Sequence, residues 1–159
     1  MVKEKPNQVR IYDKDGFRRR AAAICVRSDA ESEVLLVTSS RNINHWIVPG
    51  GGVDPGEEPA VTAVREVLEE AGVVGNLGRS LGVFESREHK HRTEVFVMTV
   101  TEELEEWEDS RTIGRIRQWF TIDDALEKLA VHKPTQQQYL QELKHSKNST
   151  LSQPSSPSS

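Results

Sequence analysis

The sequence predicts a mixed α/β domain. Short apolar runs with the composition of strands fill most of the chain, and one strongly helical segment interrupts them at residues 58–71. Further helical segments follow nearer the C-terminus. The length of 159 residues fits a single domain with a sizeable core. We therefore expect one domain in which a mixed sheet packs against helices.

Three apolar runs precede the central helix. Residues 20–27 and 33–40 are typical of strands joined by a polar turn, and a short third run at 45–48 ends at Pro49. The glycines at 50–52 follow, and we expect them to form a turn. Because glycine has no Cβ, the backbone of this turn can approach a ligand closely.

Residues 58–71 form the strongest helical segment, and Gly72 ends it because glycine readily adopts the left-handed conformation of a helix C-cap. At about 100° per residue, the segment separates into an apolar side and an acidic side. The apolar side consists of Val61, Val64, Val67, Leu68 and Ala71, and the acidic side of Glu66, Glu69 and Glu70.

After the helix, the pattern predicts three strands and then two helices. The strands cover residues 77–84, 93–100 and 116–122, and the helices cover residues 124–131 and 135–145. A polar stretch at 86–92 joins the first two strands. Asp123 is expected to cap the first of the two helices.

The remaining composition sets boundaries and excludes several classes of protein. From Ser146 onward the chain is rich in serine and proline, so we expect a domain at 1–145, with its core at 18–145, and a disordered tail at 146–159. The net charge of −4 is unlike that of a general nucleic-acid binder. No apolar run is long enough for a membrane helix, and the N-terminus lacks the apolar segment of a secretory signal. We expect a protein of the cytoplasm or the nucleus.

The single cysteine, Cys25, excludes an internal disulfide framework and a cysteine-built zinc site. It lies in the apolar run AAAICV, so we expect it to be a buried hydrophobic side chain without a catalytic role.

The three glutamates of the helix are the first candidate for chemistry. Glu66 and Glu70 are like charges at i and i+4, which costs about 0.2–0.5 kcal/mol, and they lie where the helix dipole disfavours negative charge. A solvated polar face and a cation site both remain open. Hard carboxylate and carbonyl oxygens would select magnesium or manganese over zinc. Arg65 is expected to pair with Glu57 or a nearby carboxylate and so fix the preceding loop onto the helix.

The segment GGVDPGEEPAVTAVREVLEEAGV at 51–73 resembles a complete Nudix box. Every fixed position of that motif is met, by Gly51, Glu57, Arg65, Glu66, Val67, Glu69, Glu70, Gly72 and Val73. The resemblance implies a Nudix fold, with a mixed sheet between helices and the box as loop, helix and loop. It also implies metal-dependent hydrolysis of a nucleoside diphosphate linked to another group, or of another phosphoanhydride.

The same resemblance implies roles for the box. Glu66, Glu70 and the carbonyl of Gly50 would hold Mg²⁺, with Mn²⁺ or another divalent metal as alternatives. Glu69 would be the general base.

Residues 7–145 further resemble the diphosphoinositol polyphosphate phosphohydrolase branch of that family. The matching stretches include NQVRIYDKDG at 7–16, HWIVPGGG at 45–52, KHRT at 90–93, WEDS at 107–110, IGR at 113–115 and HKP at 132–134. Members cleave the β-phosphate of inositol pyrophosphates, hydrolyse diadenosine polyphosphates and in some cases cleave inorganic polyphosphate. The implied phosphate-binding residues are Arg10, Arg18, Arg19, Arg20, Ser39, Ser40, Arg41, His89, Lys90, His91, Arg115 and Lys133. One departure is His89, where relatives often carry arginine.

Two alternatives stay open. A nucleotide-directed Nudix hydrolase, acting on dinucleoside polyphosphates or capped RNA, predicts an aromatic clamp for a base. The tryptophans at 46, 107 and 119 lie in apolar contexts and are expected in the core. A non-catalytic sensor of inositol phosphates or polyphosphate predicts a damaged box, whereas all three glutamates are present here.

Overall fold

The structure, a computed structural model, describes the backbone of residues 9–152 and the side chains of residues 9–147. Within these residues the chain forms seven strands and four helices. In chain order they are β1 (Arg18–Val26), β2 (Glu33–Thr38), β3 (Trp46–Ile47), β4 (Gly50–Gly52), α1 (Pro59–Ala71), β5 (Val73–Ser86), β6 (His91–Glu103), α2 (Glu108–Thr112), β7 (Arg117–Thr121), α3 (Ile122–His132) and α4 (Pro134–Ser152).

All seven strands join one mixed sheet. Its main path runs β3–β2–β1–β6–β5, while β4 pairs with β1 and β7 pairs with β2. The central pair, β1 and β6, is parallel, with Arg18 opposite His91 and Val26 opposite Thr99. The strands β5 and β6 form an antiparallel hairpin. This register brings the basic start of β1 next to the hairpin turn between β5 and β6.

The core lies on both faces of the sheet. Successive residues of β1 point to opposite faces of the sheet. Ala21, Ala23 and Cys25 pack with α1 on one face. Ala22 and Ile24 pack with α3 and α4 on the other face. The sequence of β1 is therefore continuously apolar, as expected for a strand covered on both faces. The prediction of a mixed sheet between helices is confirmed.

Cys25 is fully buried, as predicted. Burial raises the pKa of its thiol to about 12, so the side chain behaves as a small hydrophobic group.

The predicted turn at residues 50–52 is wrong, because these glycines form strand β4. They pair antiparallel with β1, with Gly51 opposite Ala21 and Gly50 opposite Ala22. A Cβ on Gly50 would lie 2.6 Å from the Cβ of Ala22, too close for any other residue type without a shift. The glycines therefore allow a close backbone approach within the sheet as well as towards a ligand.

The helix boundaries differ from the prediction at three places. Thr121, and not Asp123, caps α3: its hydroxyl accepts a hydrogen bond from the amide of Asp124 at 3.2 Å. The short helix α2 was not predicted, because five residues are too few to show a period. Helix α4 runs from Pro134 to Ser152, beyond the predicted helix end at residue 145. The rest of the predicted tail, residues 153–159, lies outside the described residues.

Across the described part of the chain, no helix combines the length and the apolarity needed to cross a membrane.

The buried face of α1 combines Glu66 and Glu70 of the predicted acidic side with Val67 and Ala71 of the predicted apolar side. Glu66 is 1% exposed and Glu70 is 6% exposed, whereas Val61 is 56% exposed. The buried face runs through Ala63, Glu66, Val67 and Glu70, the i, i+3, i+4, i+7 spacing of one helix face. Two charged residues therefore share the packed stripe with small apolar ones, so hydrophobicity alone does not identify the buried face.

Gly72 ends α1 in the left-handed conformation, with φ of 66°. Its amide donates hydrogen bonds to the carbonyls of Val67 and Leu68, each at 3.1 Å. A Cβ here would lie 2.6 Å from the indole ring of Trp107. The backbone conformation and the packing both require glycine at this position.

We predict that Gly72→Ala destabilises the protein more than Gly114→Ala does. Gly114 has a similar φ of 68° but no atom within 4 Å of the added Cβ, so both variants carry the same backbone strain. The steric overlap at Gly72 should add about 1–3 kcal/mol to the loss. Urea unfolding of both variants measures the difference, and equal losses would contradict the packing argument.

Candidate active site

The helix α1 presents three glutamates, which we call the acidic site: Glu66, Glu69 and Glu70. Glu70 accepts a hydrogen bond from the amide of Gly50 at 2.8 Å. Glu66 accepts one from a guanidinium nitrogen of Arg65 at 2.9 Å. Glu69 is the most exposed of the three, with 24% of its side chain accessible. The site therefore combines two buried carboxylates with one that reaches solvent.

Arg65 clamps the loop before α1 onto the helix. Its Nε and Nη2 donate to the two carboxylate oxygens of Glu57 at 2.9 and 2.8 Å, which confirms the predicted pairing. The guanidinium also lies 3.3 Å from Asp54 and 3.6 Å from Glu69. One arginine thus supplies positive charge to several carboxylates, which reduces the mutual repulsion that the sequence pattern suggests.

The pKa of Glu57 is lowered to about 2 from its usual value of 4.5. The largest cause is the hydrogen bond from Arg65, and the hydroxyl of Thr62 and the amide of Asp54 add to it against the opposing effect of burial. The carboxylate of Glu57 is therefore held in its charged form by the fold.

Strand β4 lies directly against the acidic site. A Cβ on Gly51 would fall 2.4 Å from the carboxyl carbon of Glu66, so only glycine leaves room for that carboxylate. The glycine strand thus places its main chain beside two buried carboxylates. Hard oxygen donors of this kind suit magnesium or manganese.

The acidic site does not enclose a metal with side chains alone. Among the described residues, no three acidic, histidine or cysteine side chains form a group that could hold a metal ion. Magnesium is usually held by one or two carboxylates, with water and substrate phosphates completing its coordination. Glu66 and Glu70 supply the two carboxylates of that pattern.

A basic cleft of about 410 Å³ adjoins the acidic site at Gly50, which lines the cleft and donates its amide hydrogen bond to Glu70. Its volume falls within the ~300–1,000 Å³ of small-molecule sites. Its basic side chains come from β1, from the segment after β2, from the β5–β6 hairpin and from the α3–α4 junction. They are Arg18, Arg20, Arg41, His89, His91 and Lys133, all six predicted from the sequence.

The charges of the basic cleft repel one another. Burial, and then Arg10 and Arg20, lowers the pKa of Arg18. Burial, and then Arg20 and Arg41, lowers the pKa of Lys133. The Nε of Arg18 is buried and has no hydrogen-bond partner among the described residues. An anion entering the cleft would relieve this repulsion and supply the missing acceptor.

Arg115 lies outside the basic cleft, so its predicted role as a phosphate ligand is not supported. The side chain is 2% exposed, with its Nε 3.1 Å from a carboxylate oxygen of Asp109. It donates to the carbonyl of Thr38 at 2.9 Å and approaches Glu70 to 3.9 Å. Arg115 therefore supports the acidic site from within the protein.

Three other predicted basic residues also lie outside the lining. Arg19 is exposed on the strand face opposite to Arg18 and Arg20, because successive strand residues alternate. Lys90 is exposed at the hairpin turn, with φ of 53°. Arg10 is exposed in the segment before β1, close enough to Arg18 to lower its pKa.

Ser39 and Ser40 contribute to the shape of the loop and not to the lining. The hydroxyl of Ser39 accepts a hydrogen bond from the amide of Arg41 at 3.2 Å. This bond fixes the turn that carries the Arg41 guanidinium to the basic cleft. Ser40 is half-buried beside it.

Two lining residues with polar side chains, Gln136 and Tyr139, were not predicted. Gln136 accepts a hydrogen bond from the amide of Val48 at 2.8 Å, which joins the start of α4 to the segment before β4. Tyr139 is 4% exposed and packs against Phe84, with ring centroids 4.9 Å apart and the planes tilted by 55°. In the sequence, both residues lie near the start of the predicted helix 135–145. Nothing in the pattern distinguishes them from their neighbours.

None of the three tryptophans lines the basic cleft. Trp107 is buried, with its indole nitrogen donating to the carbonyl of Glu70 at 2.8 Å. Trp46 packs edge-on against Phe120, and Trp119 lies beneath the guanidinium of Arg27. The cleft therefore contains no tryptophan clamp for a nucleobase.

Comparison with protein families matches residues 18–143 to the NUDIX domain. The chain is 60% identical over 144 residues to diphosphoinositol polyphosphate phosphohydrolase 2 of Homo sapiens, covering 91% of this chain and 80% of the human protein. It is 57% identical to diphosphoinositol polyphosphate phosphohydrolase 3-beta of Homo sapiens, covering 99% of this chain and 97% of that protein. Among solved structures, a NUDIX hydrolase from Nitrosomonas europaea matches with a TM-score of 0.64 at 24% identity, covering 81% of this chain and 89% of that one.

We predict that Glu57→Gln removes a pH-dependent part of the stability. Because the pKa of Glu57 falls from 4.5 unfolded to about 2 folded, its contribution is complete above pH 4.5 and is lost as pH falls towards 2. The difference in the free energy of unfolding between wild type and variant should therefore decrease as the pH falls from 4.5 towards 2. Chemical unfolding at several pH values measures it.

Glu58→Gln is the matched control, since its exposed side chain makes no capping hydrogen bond. It should show no such decrease. If the difference in unfolding free energy between wild type and Glu57→Gln stays constant with pH, the lowered pKa of Glu57 is contradicted.

Proposed function

The chain belongs to the NUDIX family and hydrolyses phosphoanhydrides, and we propose that it removes the β-phosphate of diphosphoinositol polyphosphates. Diadenosine polyphosphates and inorganic polyphosphate are proposed as further substrates. The observation that carries the proposal is the basic cleft beside the acidic site, which suits a compact ligand with many phosphates. The names of its relatives support the same substrate class.

The charge of the cleft favours a polyanion over a ligand with few phosphates. Six basic side chains converge from four separate parts of the chain. A ligand with one or two phosphates would leave several of them facing each other without a counter-charge. An inositol ring bearing phosphates on all sides offers an acceptor in each direction, and arginine suits phosphate oxygens well.

Nudix hydrolases use divalent metal ions, and we propose Mg²⁺ here, with Mn²⁺ as an alternative. Glu66, Glu70 and the carbonyl of Gly50 would hold it. When bound, such an ion neutralises phosphate charge and makes water a better nucleophile. The protein's contribution is to keep both carboxylates in place, through the amide of Gly50 and the guanidinium of Arg65.

Glu69 is proposed as the general base. It is the member of the acidic site that reaches solvent, so its carboxylate can accept a proton from an attacking water. Arg65, 3.6 Å away, restrains it from the side of the loop. The basic cleft holds the phosphates that do not react, and this contact orients the scissile bond towards the acidic site.

We predict that Glu69→Gln lowers turnover of diphosphoinositol pentakisphosphate by about 10²–10⁴-fold, the usual effect of removing a general base. The change keeps the size of the side chain, so thermal stability should stay near that of wild type. Glu127→Gln, at an exposed position of α3, is the control and should keep its activity. Retention of more than about a tenth of the wild-type rate in Glu69→Gln would rule out this role.

We predict that Arg20→Ala and Arg19→Ala differ sharply, although they are neighbours. Arg20 lines the cleft and donates to the hydroxyl of Thr93 at 3.3 Å, whereas Arg19 lies outside the lining. A charge-assisted contact is worth about 1.5–3 kcal/mol, so Arg20→Ala should lose about one to two orders of magnitude in kcat/KM.

The loss should be largest on diphosphoinositol pentakisphosphate and smaller on diadenosine polyphosphates, which carry fewer phosphates remote from the scissile bond. Arg19→Ala should change little on either substrate. Similar, small effects of both substitutions on both substrates would contradict the proposed substrate class while leaving phosphoanhydride hydrolysis intact.

A further inference from the structure

We propose that His89 and His91 form a proton-binding pair in the basic cleft, which takes up a proton when a polyphosphorylated substrate binds. Substrate affinity would then increase as pH falls through the neutral range. The inference rests on the proposed function, because it concerns the same cleft and the same class of substrate. It assigns to these two residues a property that arginine and lysine cannot supply, since those side chains remain charged throughout this range.

The two imidazoles are stacked in the cleft. Their ring centroids lie 5.7 Å apart with an angle of 12° between the planes, and both rings line the cleft. His91 is half-buried and His89 is exposed. The Nδ1 atom of His91 is buried and has no hydrogen-bond partner among the described residues. No hydrogen bond to another described residue therefore fixes the protonation state of this nitrogen, so a phosphate bound nearby can change it.

The backbone holds this pair in place. His91 begins β6, where it pairs with Arg18 of β1 and with Ser86 of β5. The amide of His89 donates to the hydroxyl of Ser86 at 3.3 Å, and the amide of Arg18 donates to the carbonyl of Lys90 at 2.9 Å. His91 is therefore set by its pairing with two neighbouring strands, and His89 lies in the hairpin turn, where its amide is held by Ser86.

The surroundings of the pair are basic on nearly every side. Arg18 and Arg20 face it from β1, Arg41 from the segment after β2, Lys133 from the α3–α4 junction and Tyr139 from α4. Glu88, next to His89 in the hairpin turn, interacts with Lys133. Burial, followed by the charges of Arg20, His89 and Lys133, lowers the pKa of His91 to about 4. In the empty cleft His91 is therefore neutral at neutral pH.

A polyanion reverses this balance. Its phosphates neutralise the arginines and the lysine and accept a hydrogen bond from a protonated imidazole, so the pKa of His91 rises on binding. Between the free value of about 4 and the higher bound value, the substrate complex holds more protons than the free protein. Between these two pKa values, the affinity for the substrate increases by up to about tenfold for each unit that the pH falls. Above the pKa that His91 has in the complex, the affinity no longer depends on this group.

The ring of His89 works against a positive charge on His91. Its charge is among the causes that lower the pKa of His91, and the two ring centroids lie 5.7 Å apart. A fixed positive charge at position 89 would act in the same way and would hold His91 neutral. His89→Arg should therefore reduce proton uptake although His91 itself is unchanged, whereas a buried histidine with only a packing role would not respond.

Isothermal titration calorimetry with inositol hexakisphosphate tests the inference. This probe has no phosphoanhydride, so it binds without turnover. Titrations near pH 7 in buffers of different ionisation enthalpy give the number of protons taken up on binding. The probe's own phosphates also exchange protons, so the readout is the difference between variants. His145→Gln, an exposed histidine of α4 outside the cleft, is the matched control.

Wild type and His145→Gln should take up clearly more protons than His91→Gln, by up to about one, with His89→Arg also reduced. Equal uptake by wild type and His91→Gln would overturn the inference while leaving the proposed substrate class intact. Failure of wild type to bind the probe would overturn both.

A second measurement needs no substitution at position 91. The ¹⁵N shifts of the wild-type imidazoles should report a neutral His91 in the free protein near pH 7 and a protonated one with the probe bound. If the imidazole of His91 stays neutral in the complex, the inference is overturned.

Discussion

The surrounding structure depends on the burial of two carboxylates, Glu66 and Glu70, on the packed face of α1. A buried charge costs several kcal/mol unless it is paired and hydrogen-bonded. Here the amide of Gly50, the guanidinium of Arg65 and the more distant guanidinium of Arg115 provide those partners. The glycines of β4 follow from the same requirement, because any Cβ at Gly51 would displace the carboxylate of Glu66.

The protein places opposite charges on either side of one glycine. The amide of Gly50 donates to a carboxylate of the acidic site, and the same residue lines the basic cleft. The charge of Glu66 also reaches Arg18, whose pKa it raises against the stronger effects of burial and neighbouring arginines. A substrate that spans the two regions would place its many phosphates among cations and its scissile bond beside the carboxylates. The region that would bind the phosphates and the region that would carry the chemistry are thereby separated by only a few residues of backbone.

Local patterns predict the elements that depend on local contacts. The strands, the central helix and its glycine stop were predicted from periodicity and from glycine chemistry. The buried face of α1 was not, because its glutamates are stabilised by β4 and Arg115, which lie elsewhere in the chain. The strand character of residues 50–52 likewise depends on pairing with β1. Both errors arise where a non-local contact overrides a local preference.

The candidate site shows the same division. The six basic residues of the cleft were predicted by resemblance and are brought together by the fold. Resemblance does not report burial, so it could not separate Arg115, which faces Asp109 inside the protein, from Arg20, which faces the cleft. Gln136 had no distinguishing signal, because its role is a hydrogen bond to Val48 across the chain.

The most direct test of the account is turnover of diphosphoinositol pentakisphosphate, diadenosine hexaphosphate and inorganic polyphosphate by the wild-type protein in parallel. Each should be measured at equal concentration with magnesium, manganese and zinc, since the metal can change the preference. The account predicts that kcat/KM with magnesium is highest for diphosphoinositol pentakisphosphate, because that compact polyanion engages the whole basic cleft. A higher kcat/KM for diadenosine hexaphosphate or polyphosphate with every metal would contradict it.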